Sequence, residues 1–269
     1  MSDFMHQHLP PEEDVPTLSE EGGVRYLHLG TEWVQGAMSL RRPHDLVLEY
    51  TQQLMAWLLF CEPQADQSLG ILGLGAGSLL RFALKHTPCQ IEVAEWNPAV
   101  TETCRRYFKL RDNHRARIDH LDASLWLNER FRENRYLALM VDLYDYRADG
   151  PVRDSLEFYQ SCYKVLADGA AMTVNLFGDH ISYDQNLENI NQAFDGHFFE
   201  LPQTEVGNQV ILAWKGPFFD VTIGELLDRA RVLETEMRLP ASPWVYYLLD
   251  KFHPEETVTE NEIHSEEEA

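Results

Sequence analysis

Apolar residues along this chain recur with two different periods, and the switches between them predict the elements. VRYLHL and EWVQGAM, two β-prone runs on either side of Gly30-Thr31, read as a hairpin. The spacing then turns helical, with Leu46, Val47, Tyr50, Leu54, Trp57 and Leu58 on one face. From Ser68 onward short and long periods alternate. A strand at Ile71-Leu72 leads to an amphipathic helix ending near His86, and a second strand ends at Glu95. A helix then runs from Asn97-Pro98 to Tyr107, a strand covers 115–120, and a helix runs from Asp122-Ala123 to about Phe131. The strand Tyr136 to Val141, a helix over 154–166, a strand over 170–177 and a helix over 184–194 follow, then strands 197–201 and 208–214. This order predicts an α/β sheet, mostly parallel, with helices on both faces. The short turn before the last strand makes that strand antiparallel. Helical spacing over 221–237 and 243–252 adds a C-terminal extension.

The chemistry gathers at the carboxyl ends of those strands, where an open α/β sheet holds its ligand. The first strand runs into Gly73, Gly75 and Gly77, which allow a tight strand-to-helix turn and leave room for a ligand. Glu95 follows about twenty residues later, at the tip of the next strand, where an acid can accept from both hydroxyls of a ribose. Strand, glycines, helix, strand and acid in that order form a nucleotide-binding βαβ unit. The next strands end at Asp122, at Asp142 with Asp145, and at Asn175, so one rim collects carboxylates. An acid at a strand end also caps the following helix, and Asp122 suits that role as well as it suits a ligand. GLGAGS has Ser78 next to the place of the third glycine of a dinucleotide fingerprint, which argues against an oxidoreductase.

Charge narrows the partner. The 269 residues carry 44 acids against 22 bases, a net charge of −22. That balance opposes nucleic acid or an anionic membrane as the main partner and favours a cationic small molecule. Part of it lies in the Glu-rich tail. Cysteines at 61, 89, 104 and 162 show no metal spacing, so a reduced compartment, buried thiols and no bound metal are expected. The leader holds His6 and His8 among prolines and acids and reads as a mobile end without a metal. The N-terminus lacks a basic segment followed by an apolar one, and no run of about eighteen apolar residues occurs, which points to the cytoplasm.

Taken together, the motifs VRYLHLGTEWVQGAM, LEYTQQLM, GILGLGAGS, IEVAEWNPAV, LDASLWL, LALMVDLYD and FYQSCYKVLADGAAMTVNLFG resemble the spermidine synthase, or polyamine aminopropyltransferase, family over residues 24 to 215. The resemblance implies a class I S-adenosylmethionine-type Rossmann-like fold, a homodimer, and aminopropyl transfer from decarboxylated S-adenosylmethionine to an amine, leaving methylthioadenosine. It further implies Gln35 on the sulfonium co-substrate, Glu95 on the ribose, Asp122 with Ala123 at the adenine, Asp142 and Asp145 as the active-site DxxD pair, and Tyr50 at the acceptor. The chain then divides into a leader (1–23), an N-terminal hairpin region (24–42), the nucleoside-binding catalytic unit (43–216), a helical extension (217–252) and an acidic tail (253–269). The sequence departs from the family in four places. Ala76 stands where the glycine loop has an aspartate that holds the co-substrate's amine, Tyr50 is followed by Thr51 and Gln52, Tyr146 replaces a proline after DxxD, and a short TEVGNQV replaces the acceptor loop. Without the loop acid, S-adenosylmethionine itself becomes an acceptable ligand. A methyltransferase on the same fold is the second reading, and a non-catalytic nucleoside-binding scaffold the third.

Overall fold

A computed structural model describes residues 15–145 and 153–252. The reading of the leader up to residue 14, Tyr146 and the acidic tail lies outside the described residues. Among the described residues ten strands form two sheets. The smaller sheet is an antiparallel meander of β1 (Pro16–Glu21), β2 (Val24–Leu29) and β3 (Gly36–Ser39). The larger has seven strands: β4 (Ser68–Leu72), β5 (Gln90–Ala94), β6 (Ala116–Asp119), β7 (Tyr136–Val141), β8 (Leu166–Phe177), β9 (Phe198–Glu200) and β10 (Asn208–Trp214). Their spatial order is β6-β5-β4-β7-β8-β10-β9. The first five of that row are parallel, and β10 runs antiparallel to both β8 and β9.

Period-two burial along the strands divides the core. Leu69, Ile71, Ala138 and Met140 face one apolar cluster, while Leu72, Leu139 and Val141 face the other. Helices cover both sides. The first cluster is closed by α1 (Glu49–Gln53), α2 (Ser78–His86), α3 (Pro98–Tyr107), α7 (Ile223–Val232) and α8 (Ala241–Phe252). The second is closed by α4 (Ala123–Leu127), α5 (Leu156–Val165) and α6 (Tyr183–Ala193). This is the α/β order expected of the class I S-adenosylmethionine-type fold. All four cysteines are buried thiols. Among the described residues no helix is long and apolar enough to cross a membrane.

Three local differences from the sequence pattern matter for the site. Residues 16–21, read as leader, pair along β2 and widen the hairpin to three strands. The connection after β2 is not a two-residue turn: it spans Gly30 to Gln35 and carries Trp33, Val34 and Gln35 to the rim of the large sheet. The helix expected over Leu46–Leu58 is broken into α1 and a buried 3₁₀ turn, Ala56–Leu59. Its cause is tertiary, because the Leu54 carbonyl accepts from Thr173 Oγ1 of β8 at 2.8 Å. The break sets Tyr50 on the one short helix turn that faces the strand ends.

Candidate active site

The carboxyl ends of β4, β5, β7 and β8, the β2–β3 loop and the turn before β10 enclose a cleft of about 1270 Å³. Gly73 opens it. At φ +92° its missing side chain lets the chain pass the main-chain oxygen of Asp142, with which a Cβ would collide. Gly75, at φ +50°, lies under the Gln35 carbonyl, so the glycine loop and the β2–β3 loop touch through backbone. Gly77 does not line the cleft. It is the left-handed residue before α2, and a Cβ there would press on Arg81 at 3.1 Å. Arg81, buried with its charge, holds this corner by donating to the carbonyls of Ala76 and, at 2.8 Å, of Pro43; burial lowers its pKa to about 10. Ser78 adds a bond to the Ala37 carbonyl of β3 at 2.8 Å.

Glu95 sits beside this loop and is held by main chain on both oxygens. Leu74 N–H donates to Oε2 at 3.0 Å, and Asn97 N–H donates to Oε1 at 2.8 Å. Asn97 caps α3 with Pro98 at its first turn, so the chain turns sharply after Glu95. Asp122 caps α4, accepting from Ser124 N–H at 2.9 Å on Oδ1, while Oδ2 pairs with Arg153 at 2.6 Å. It therefore fills the capping role and lines the cleft, as does Ala123. The helix and strand that carry it are tied by Arg132, which is fully buried, donates to Glu92, Asp119 and Tyr136, and stacks on Trp126 at 3.8 Å.

The other end of the cleft centres on Asp142. Burial raises its carboxyl pKa to about 6, against two donors that favour the ionised form: Asn175 Nδ2, at 3.0 Å from Oδ1, and the Tyr50 hydroxyl. Burial, and then the Asp142 charge, push the Tyr50 hydroxyl well above the ordinary tyrosine range, so Tyr50 stays a donor. Asp145 joins the same wall. Its main-chain oxygen accepts from Gln35 Nε2 at 2.8 Å, which ties the DxxD turn to the β2–β3 loop.

Of the residues to which the sequence reading gave a binding or catalytic role, Gln35, Tyr50, Gly73, Gly75, Glu95, Asp122, Ala123, Asp142 and Asp145 line one cleft, and Gly77 does not. Nor does Ala76. It is buried against β3, where a Cβ on Gly36 would come to 2.7 Å from the Ala76 Cβ. The sequence reading missed Arg153, Trp96, Glu49, Glu205 and Asn208, all of which line the cleft. Trp96 and Glu49 were legible as the neighbours of Glu95 and Tyr50; the others reach the site through tertiary folding. Among the described residues no group of three or more His, Cys, Asp or Glu side chains could hold a metal.

Comparison with known proteins follows the same lines. No family model matches the chain. It is 30% identical over 218 residues to the polyamine aminopropyltransferase of Neisseria meningitidis serogroup A, covering 79% of this chain and 81% of that protein. To the enzyme of the same name from Chromobacterium violaceum it is 30% identical over 219 residues, covering 80% and 82%. In fold it matches a probable spermidine synthase from Corynebacterium glutamicum with a TM-score of 0.66 at 18% identity, over 87% of this chain and 89% of that one. Human methyltransferase-like protein 13 in complex with SAH matches with a TM-score of 0.61 at 21% identity, over 71% and 93%. The likeness to enzymes on this fold extends over four fifths of the sequence, and the chain belongs to the polyamine aminopropyltransferase family of transferases.

Proposed function

We propose that the cleft binds decarboxylated S-adenosylmethionine and transfers its aminopropyl group to a small-molecule amine. The observation that carries this reading is the grouping of Asp142, Tyr50 and Asp145 in the cleft that also holds the glycine turn and Glu95. The donor set fits a nucleoside: a backbone turn kept clear by Gly73 and Gly75, an acid for the ribose hydroxyls, and an acid with Ala123 at the start of α4 for the adenine. Gln35 stands by the sulfonium. The co-substrate supplies a methylene beside a positive sulfur, and as the amine nitrogen bonds to that carbon the C–S bond breaks with its electron pair leaving on sulfur. Asp142 takes the proton that the amine loses, and its charge attracts both cations while it does so. Tyr50 and Asp145 hold the amine in line. Residues 43–216 form the catalytic unit, and we assign the three-stranded sheet to a contact between two copies of a cytoplasmic homodimer. The net charge of −22 leaves nucleic acid outside the partner set.

One feature favours a second reading. Ala76 offers no acid for the free amine of the decarboxylated compound, so S-adenosylmethionine and methyl transfer remain the alternative. Calorimetric titration with S-adenosylmethionine, its decarboxylated form, methylthioadenosine and S-adenosylhomocysteine separates the two. Tighter binding of the decarboxylated form and methylthioadenosine is the expected result, together with methylthioadenosine release when a diamine is added. Preference for the carboxylated pair overturns it in favour of methyl transfer, and binding of none leaves the scaffold.

A further inference from the structure

Asp142 is held by a chain of buried amides that reaches back across two strands. Asn175 on β8 donates to Asp142 Oδ1, and its own Oδ1 accepts from Nδ2 of Asn208, the first residue of β10, at 3.0 Å. Asn175 is 2% exposed and Asn208 9%. Chemistry fixes the direction of this chain. An ionised carboxylate only accepts, so Asn175 must turn its NH₂ toward Asp142; its oxygen then faces Asn208, and Asn208 must offer NH₂ in turn. A protonated Asp142 has a proton of its own to give and tolerates either orientation.

Asn208 is itself pinned by the short turn that stands where the family has its acceptor loop. The Asn208 N–H donates to Thr204 Oγ1 at 2.9 Å, Thr204 N–H donates to the Asn208 carbonyl at 2.9 Å, and Gly207 N–H closes on the Thr204 carbonyl at 3.0 Å. Gly207 does so at φ +93°, where a side chain would be strained. The same turn places the Glu205 N–H on Glu49 Oε2 of α1 at 3.2 Å. The shortened turn is thus tied to both elements that furnish the donors on Asp142.

This inference rests on the reading of Asp142 as the proton acceptor. We propose that Asn208 is a positioning residue that acts through Asn175: it fixes the orientation of the Asn175 amide and so keeps a hydrogen-bond donor aimed at the Asp142 carboxylate. Other groups face the same carboxylate. Tyr50 donates to it from α1, and Tyr144, on the turn after β7, donates to the Asn175 carbonyl at 3.2 Å. Asp145, Glu95, Asp179 and His180 line the surrounding wall with Glu205. Only Asn175 depends on Asn208 for its orientation.

The test is an NMR titration of protein carrying ¹³Cγ-labelled aspartate, with the Asp142 signal assigned by its loss in Asp142→Asn. Wild type, Asn208→Leu, Asn175→Leu and the double variant are compared; leucine has the same branching and number of side-chain heavy atoms as asparagine and has no donor. Asn208→Leu should raise the Asp142 midpoint by about half a unit to one unit. Asn175→Leu should raise it by at least as much, and the double variant no further. The acid limb of kcat should move with the midpoint. An unmoved midpoint in Asn208→Leu, or a full additional shift on top of Asn175→Leu, overturns the role. If Asn208→Leu does not fold, Asn208→Ser, too short to reach Asn175, takes its place with the same expectations. The titration needs no turnover, so a wild type that transfers no aminopropyl group would count against the proposed reaction while the NMR midpoints still decide the role of Asn208.

Discussion

Two carboxylates stand at the two ends of the cleft and are held in opposite ways. Glu95 accepts from main-chain N–H groups of Leu74 and Asn97, both within its own βαβ unit. Asp142 accepts from side chains, Asn175 and Tyr50, brought by β8 and α1. Main-chain donors survive any substitution that preserves the turn, whereas side-chain donors are lost one at a time. The setting of Glu95 is therefore a property of local backbone, and that of Asp142 a property of the assembled fold. The departures from the family pattern fall at both ends: Ala76 lies in the glycine loop, whose three glycines and Glu95 are kept, and the changed turn before β10 reaches Asp142 through Asn208 and Asn175.

Replacing each acid by its amide should break the comparison open, because the two effects on stability have opposite signs. Asp142→Asn should cost about 10²- to 10⁴-fold in kcat, the usual contribution of a general base, with methylthioadenosine affinity unchanged. Burial raises its carboxyl pKa from the ordinary 3.8 to about 6. A raised folded pKa means that the stabilising state is the protonated one: its contribution is complete below about pH 3.8 and is lost as pH rises through about 6. At pH 8 the wild type bears a buried charge, and the amide removes a penalty of about 3 kcal/mol. Thermal melts at pH 8 should show Asp142→Asn melting several degrees above wild type, with the gap closing toward pH 4. With Asp142 as the base, wild-type kcat should fall as pH drops through about 6.

Glu95→Gln should do the reverse. One of its two main-chain donors would face an NH₂ group, at a cost of about 1.5–3 kcal/mol for a lost charge-assisted bond. The protein should melt lower at neutral pH, and nucleoside affinity, read by calorimetry, should fall about 10- to 100-fold. A Glu95→Gln variant as stable as wild type would show that Asn97 and Pro98 hold the turn without the acid.

The same contrast explains what the sequence disclosed. The succession of strands and helices, the antiparallel last strand and the glycine turn follow from periods and from residues close in the chain. Glu95 and Asp142 were legible because strand ends collect at one rim. Asn208 was legible only as a member of the short TEVGNQV turn, since nothing local points to its partner Asn175, 33 residues away. The break in the helix over Leu46–Leu58 was hidden for a similar reason. Its apolar face keeps helical spacing, but a hydroxyl on β8 takes the carbonyl that would continue the helix. Gly77 misled in another way, because a glycine in a nucleotide motif can serve the turn alone.

That helix break gives the mildest test, and the one that best separates the two ends. Thr173→Val keeps the shape of the side chain and removes the donor to the Leu54 carbonyl, leaving a buried oxygen unpaired. The expected cost is about 1–3 kcal/mol, seen as a lower melting temperature. Freed from β8, the residues after Gln53 can tighten toward a regular helix and turn Tyr50 away from Asp142. The amine KM should then rise a few-fold, whereas methylthioadenosine affinity should stay within about twofold, since Leu74 and Asn97 still hold Glu95 through main chain. If nucleoside affinity falls in step with the amine KM, the cleft is one cooperative unit, and the division into a backbone-built end and a fold-built end is wrong.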